Sequence, residues 1–196
     1  AFVQRKVYDE VVAKLSAVAR SLKVDLPDVA GAEMGPLATF AHRDKVASMV
    51  ESARAAGADI LAGGARPDGK QLEKGAYYLP TLIGGIDNNA AIAQQEIFGP
   101  VLCMIPFDDE DDLIEQANNS CFGLASGVWT RDYQRAWRVA RALEAGTVWI
   151  NTYKQLSIAT PFGGFKDSGI GREKGINGMR LYQQPKGIYF GMGQLG

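Results

Sequence analysis

Histidine is all but missing from this chain: His42 is the only one. Cysteine is scarce as well, with Cys103 and Cys121 separated by 17 residues. That is not the spacing of zinc ligands, and no second histidine is available to complete a tetrahedral site, so no metal centre is expected. Two cysteines cannot build a disulfide scaffold, which points to a reducing, cytoplasmic setting. Charge of neither sign is in excess. The 21 Lys and Arg against 22 Asp and Glu leave a net charge of -1. Nucleic-acid binding needs a basic surplus on one face, so no nucleic-acid partner is expected. No apolar run approaches the ~20 residues of a membrane span. The opening Ala-Phe-Val-Gln-Arg-Lys lacks the apolar stretch of a secretory signal, and no membrane partner is expected.

What is present suits an ordinary globular protein. With 196 residues, 46% of them hydrophobic and 22% charged, the chain can bury a core. Its 23 glycines gather at turns without a fixed period, which excludes a collagen-like or low-complexity chain.

Phe2-Val3-Gln4 reads as a short strand. Asp9 then stands before Val11, Val12, Leu15, Val18, Ala19 and Leu22, at helical spacing. Thr39 can cap a second helix with Val46, Met49, Val50 and Ala53 on its apolar face, ended by Gly57. Ile60 and Leu61 form a strand, residues 65–75 an exposed loop, and Tyr77 to Ile83 a β-prone stretch broken by Pro80. Val101-Leu102-Cys103-Met104-Ile105 reads as one continuous strand. Asp109 caps a helix with Leu113, Ile114 and Ala117 inward, and Gly123 stops it. Ser126 to Thr130 is the next strand. Asp132 opens a helix whose buried face is Ala136, Trp137, Val139, Ala140 and Leu143, and Thr147 to Asn151 follows as a strand. Apolar strands alternating with helices imply an α/β fold: an open, twisted, mostly parallel sheet with helices on both faces. No repeat or linker marks two independent domains. Lys186-Gly187-Ile188-Tyr189-Phe190 is β-prone and follows Pro185, so it is expected to pair outside the main sheet.

Two segments carry chemistry. The first is Gln95-Glu96-Ile97-Phe98-Gly99-Pro100-Val101. By residue type, Glu96 is a solvated loop carboxylate. It also suits a ribose diol, because its two oxygens match two adjacent hydroxyls, with Phe98 as an apolar wall beside a flat ring. Gly99-Pro100 would then turn both towards the C-terminal edge of a parallel sheet, where α/β folds bind ligands. The second segment, from Phe162 to Gly171, holds Gly163, Gly164, Gly169 and Gly171. Four glycines in ten residues mark unusual backbone or close chain approach. Neither a dinucleotide fingerprint nor a Walker-type loop fits, since Gly169-Ile170-Gly171 is followed by Arg172, Glu173 and Lys174. Cys103 is read as a small buried hydrophobe. Cys121 has no histidine to activate it. His42, between Ala41 and Arg43, is a surface histidine by default. The acidic run from Asp108 to Asp112 is a helix start rather than a metal site.

Together with Phe2-Val3-Gln4, Tyr8-Asp9-Glu10, Glu33-Met34-Gly35-Pro36, Ala117-Asn118-Asn119, Phe122-Gly123-Leu124 and Ala145-Gly146-Thr147-Val148-Trp149-Ile150-Asn151, these segments resemble the aldehyde dehydrogenase superfamily over nearly the whole chain. The resemblance implies a thiolate that attacks an aldehyde, hydride transfer to NAD or NADP, and a glutamate base that releases the acid. By the same resemblance the thiolate and base lie upstream of Ala1. The chain is then the C-terminal part of the enzyme, residues 1–184 belonging to the catalytic domain and 185–196 to an oligomerisation strand and tail. The expected partners are an aldehyde, the N-terminal half and further copies of the enzyme. Alone, the chain is expected to be inactive. Carried over residue by residue, Glu96 holds the nicotinamide ribose and Phe98 flanks the ring. His42 and Lys45 approach the cofactor, though a glutamine is commoner where His42 stands. Phe162 lines the aldehyde tunnel, and the variable loop 153–158, with Leu156 and Ile158, shapes substrate choice. Lys154 and Gln155 there would suit a polar or acidic substrate. Glu173 matches a buried glutamate in a proton relay. Two alternatives stay open: an acylating relative that passes the acyl group to coenzyme A or phosphate, and a non-enzymatic assembly module.

Overall fold

One short strand sends alternate side chains into two different cores. A computed structural model describes residues 1–193, and the chain divides into two compact units, Ala1–Asn119 and Ser120–Gly196. Unit 1 runs β1 (Phe2–Gln4), α1 (Tyr8–Ser21), α2 (Phe40–Ala55), β2 (Asp59–Ala62), β3 (Thr81–Gly84), α3 (Ala91–Gln94), β4 (Val101–Cys103), β5 (Ile105–Phe107) and α4 (Glu110–Asn118). Strand β3 is central in the sheet β2-β3-β4, antiparallel to β2 and parallel to β4. Leu82 packs with Ala19, Ala62 and Met104 on the α1 side, and Ile83 packs with Val46, Val50 and Ala53 of α2 on the other. Successive side chains on a strand point to opposite faces, so both faces of this sheet are covered by helices. Val46 and Val50 are fully buried, each contributing about 1.5–3 kcal/mol by leaving water.

The stretch expected as one strand from Val101 to Ile105 is two. Strand β4 pairs with β3, and β5 pairs in parallel with β1. Met104 is the switch between them. Its N–H donates to the Ile83 carbonyl at 2.7 Å, its carbonyl accepts from the Tyr8 hydroxyl at 2.9 Å, and its side chain is fully buried. A residue whose main-chain groups are both taken and whose side chain is locked can turn the chain without leaving a buried polar group unpaired.

The expected caps form. The Thr39 side chain accepts from the His42 N–H at 3.1 Å, and Asp109 accepts from the N–H groups of Asp111 and Asp112 at 3.1 and 3.0 Å. The acidic run therefore starts α4, with Asp108 paired to Arg5 at 2.9 Å.

Unit 2 contains β6 (Phe122–Gly123), β7 (Ala125–Val128), α5 (Tyr133–Ala142), β8 (Thr147–Ile150), β9 (Phe165–Lys166) and α6 (Gly175–Arg180). Strands β7 and β8 pair in parallel across α5, while β6 and β9 pair antiparallel. Asp132 caps α5, accepting from the N–H groups of Gln134 and Arg135. Ala136 and Val139 are its buried residues. Trp137, expected on that face, is 63% exposed. One residue past Ala136 is a rotation of about 100°, which carries the indole off the buried stripe. Residues 186–190 form no strand with the rest of the described chain. Ile188, Tyr189 and Phe190 are exposed, and residues 194–196 lie outside the described part. The fold is α/β and open, with three of its five strand pairs parallel. Among the described residues no helix is long and apolar enough to cross a membrane.

Candidate functional site

The turn before β4 is fixed from below by the α2 core. Gly99 packs on Val46; a Cβ at Gly99 would stand 2.7 Å from one Val46 methyl and 3.1 Å from the other. The Val101 N–H donates to the Gly99 carbonyl at 2.8 Å, and the Thr81 N–H donates to the Pro100 carbonyl at 2.8 Å. With Gly99 and Pro100 held, Phe98 takes φ 57°, a left-handed conformation rare for an aromatic residue, and its ring is 76% exposed. Glu96 is exposed two residues earlier.

Helix α2 brings His42 to this turn. The His42 and Phe98 ring centroids lie 6.2 Å apart, tilted by 43°. His42 Nε2 is buried and has no hydrogen-bond partner among the described residues. Strain at Phe98 and an unpaired imidazole nitrogen beside it are two local costs at one place, as at functional sites. Lys45 lies one helical turn on and is exposed. Neither Lys45 nor Glu96 has an ion-pair partner among the described residues. The turn leads into β4, and Thr81 of the parallel β3 stands opposite Val101. Glu96 and Phe98 therefore sit at the amino ends of these strands, not at the C-terminal edge expected from the sequence. A residue that immediately precedes a strand has no other choice.

Phe98 also borders a cavity of about 300 Å³ together with Phe2, Ile97 and Cys103. Sequence reasoning missed this cavity because its walls come from β1, β4 and β5, and their pairing has no local signature. Burial pushes the Cys103 thiol above its ordinary pKa. That is the reverse of what a nucleophile needs; Cys103, read from the sequence as a buried hydrophobe, is half-buried at the cavity wall.

In unit 2 the glycine-rich segment is a chain folded against itself. Phe162 and Glu173 exchange both main-chain hydrogen bonds, at 2.9 and 2.8 Å. A Cβ on Gly163 would meet the Gly171 carbonyl at 2.5 Å, and one on Gly164 would collide with Ser168. Arg172 seals the fold by donating to the carbonyls of Gly164 and Gly171 at 2.9 and 2.7 Å. Close approach therefore accounts for Gly163 and Gly164, and positive φ, 126° and 90°, for Gly169 and Gly171. Glu173, expected to be buried, is exposed, because its main chain and not its carboxylate makes the contact with Phe162. The variable loop is tied at two points. Trp149 Nε1–H donates to the Gln155 carbonyl at 2.7 Å, and the Gly175 N–H donates to the Ile158 carbonyl at 2.8 Å. Leu156 and Ile158 are exposed, Phe162 is half-buried, and the Lys174 ammonium lies 5.7 Å from the Phe162 ring centroid.

A concavity of about 1060 Å³ lies elsewhere on unit 2, against Trp129, Tyr133, Trp137 and Ile150. Its lining has no carboxylate, histidine or cysteine. It has the character of a contact surface, not of a reaction centre.

The sequence model described as the aldehyde dehydrogenase family matches residues 1–188. The chain is 42% identical over 194 residues to the betaine aldehyde dehydrogenase of Sinorhizobium fredii, covering 99% of this chain and 40% of that one. It superposes on a crystal structure of Staphylococcus aureus betaine aldehyde dehydrogenase in complex with NAD+ with a TM-score of 0.90 and 40% identity, covering 92% of this chain and 36% of that one. An aldehyde dehydrogenase from Bacillus cereus matches with a TM-score of 0.88 and 41% identity, over 93% of this chain and 36% of that one. The chain thus spans about 40% of the length of the curated relatives it matches.

Proposed function

This chain belongs to the aldehyde dehydrogenase family, and we propose that it is the C-terminal part of an NAD(P)-dependent enzyme that oxidises an aldehyde to a carboxylic acid. The observation that carries this reading is the turn at Phe98: a strained, exposed ring, a carboxylate two residues away and an unpaired histidine nitrogen, in a chain of this family. These residues fit a dinucleotide. When bound, it supplies a nicotinamide ring that accepts hydride. Glu96 accepts two hydrogen bonds from the adjacent ribose hydroxyls and so fixes the sugar. The Phe98 ring limits the tilt of the flat group beside it. His42 Nε2 gains the partner it lacks, and Lys45 offers positive charge to the phosphates. The NAD+ in the Staphylococcus aureus relative supports NAD over NADP.

The substrate side belongs to unit 2. Phe162, Leu156 and Ile158 border the path of the aldehyde. Glu173, held by its main chain opposite Phe162, carries a proton along that path. Neither cysteine of this chain serves as the nucleophile: burial raises Cys103, and the only imidazole packs on Phe98. The residues 185–196 join subunits of a homo-oligomer, supported by the exposed Ile188, Tyr189 and Phe190. The enzyme works in the cytoplasm, consistent with two free thiols.

Glu96→Ala in the full-length enzyme tests the reading. Single-turnover hydride transfer, followed by nicotinamide absorbance, should slow by on the order of tenfold or more as orientation is lost. An unchanged rate removes Glu96 from the cofactor site.

A further inference from the structure

Between residues 153 and 174 the chain has three aromatic residues, Tyr153, Phe162 and Phe165. Each already carries a cation of the protein. The Lys154 ammonium lies 5.6 Å from the Tyr153 ring centroid, the Lys174 ammonium 5.7 Å from that of Phe162, and the Arg172 guanidinium 5.2 Å from that of Phe165. All three distances are within the reach of a cation–π contact. The same stretch has four basic residues, Lys154, Lys166, Arg172 and Lys174, against two acids, Asp167 and Glu173.

Two of the four cations are committed. Lys166 pairs with Glu144 at 2.6 Å, and Arg172 donates to the Gly164 and Gly171 carbonyls. The other two, Lys154 and Lys174, have no carboxylate partner among the described residues. Both sit at positive φ, 57° and 60°, where a side-chain-bearing residue is held against its local preference. They belong to the two ends of one tied loop. Lys154 precedes Gln155, whose carbonyl is held by Trp149, and Lys174 precedes Gly175, whose N–H holds the Ile158 carbonyl.

This arrangement is wrong for a quaternary ammonium substrate. Such a group is recognised by open aromatic faces, and here each of the three rings already has a cation of the protein over it. We infer that the aldehyde taken by this enzyme carries a carboxylate, with Lys154 and Lys174 as its specificity-determining residues, and is not the trimethylammonium aldehyde for which the enzyme's relatives are named. The inference rests on the reading that the loop 153–162 borders the aldehyde path. The two lysines attract the remote carboxylate of an ω-oxo acid and repel a cation, so attraction and repulsion act together in the discrimination.

The test is kinetic, on the full-length enzyme, with 4-oxobutanoate, butanal and betaine aldehyde as probes. The wild type should show kcat/KM for 4-oxobutanoate on the order of a hundredfold above that for betaine aldehyde, a preference that shrinks as salt screens the charges. Lys154→Met and Lys174→Met should each lower the ratio of 4-oxobutanoate to butanal by about tenfold, and Lys→Arg at either position should restore it. Betaine aldehyde oxidised faster than butanal overturns the inference and needs no variant. So does a ratio that neither substitution moves. Failure to oxidise any of the three aldehydes overturns the proposed function, and this inference with it.

Discussion

Gly99 bears a burden out of proportion to its size. It lets the turn rest directly on Val46, which is fully buried, and so sets the height at which Phe98 and Glu96 stand. Gly99→Ala would push a methyl group against two Val46 methyls that have no room to retreat. Such overpacking costs about 1–3 kcal/mol. The expected result is a lower urea midpoint for the isolated chain, with tryptophan-independent probes of α2 reporting the loss. A substitution with no effect would mean that the turn can lift without disturbing the core. Glu96 and Phe98 were legible in the sequence because their motif is local. The resemblance placed His42 and Phe98 each near the cofactor, but their contact was not legible, since 55 residues separate the two and no periodicity links them.

At the scale of elements, helix starts are the most predictable feature. Asp132 is held as a carboxylate first by the Arg135 N–H and then by the Gln134 N–H, which lower its pKa. A lowered folded-state pKa gives stability that is present above the ordinary aspartate range and is lost as pH falls through the folded value. Hydrogen exchange at the Gln134 and Arg135 amides should therefore lose protection below about pH 4 beyond what the intrinsic exchange chemistry explains. Asp132→Asn keeps a capping oxygen and should flatten that extra pH dependence. The caps at Thr39, Asp109 and Asp132 were all readable because a cap needs only a side chain and the next three residues. The break at Met104 was not. Its cause is a choice between two partner strands, β3 and β1, that lie about 20 and 100 residues away in sequence. Trp137 was misread for a different reason: a helical stripe tolerates a neighbour one position off, and only packing decides which residue is turned out.

The two units differ sharply in what they bury. Unit 1 has two clusters of fully enclosed side chains, whereas Ala136 and Val139 are the buried hydrophobic side chains among the described residues of unit 2. Trp129, Trp137, Ile158 and Phe190 of unit 2 are all more than half exposed. Two small buried groups cannot offset the ordering of more than seventy residues. In the isolated chain, amides of β3 and α2 should show strong hydrogen-exchange protection while those of β7 and β8 exchange orders of magnitude faster. Equal protection in both units would show that unit 2 has stability of its own. At the end of unit 1 the side-chain amides of Asn88 and Gln94 both donate to the Asn119 carbonyl at 2.8 Å, and Asn119 in turn donates to Asn89. This knot ties residues about 25 to 30 positions back to the last residue of the unit. It can be drawn closed only when α4 has left the ribosome, and it is complete before any of unit 2 is required. Folding of unit 1 can then run ahead of the synthesis of unit 2, and a chain ended just after Asn119 should still yield a unit 1 that holds together.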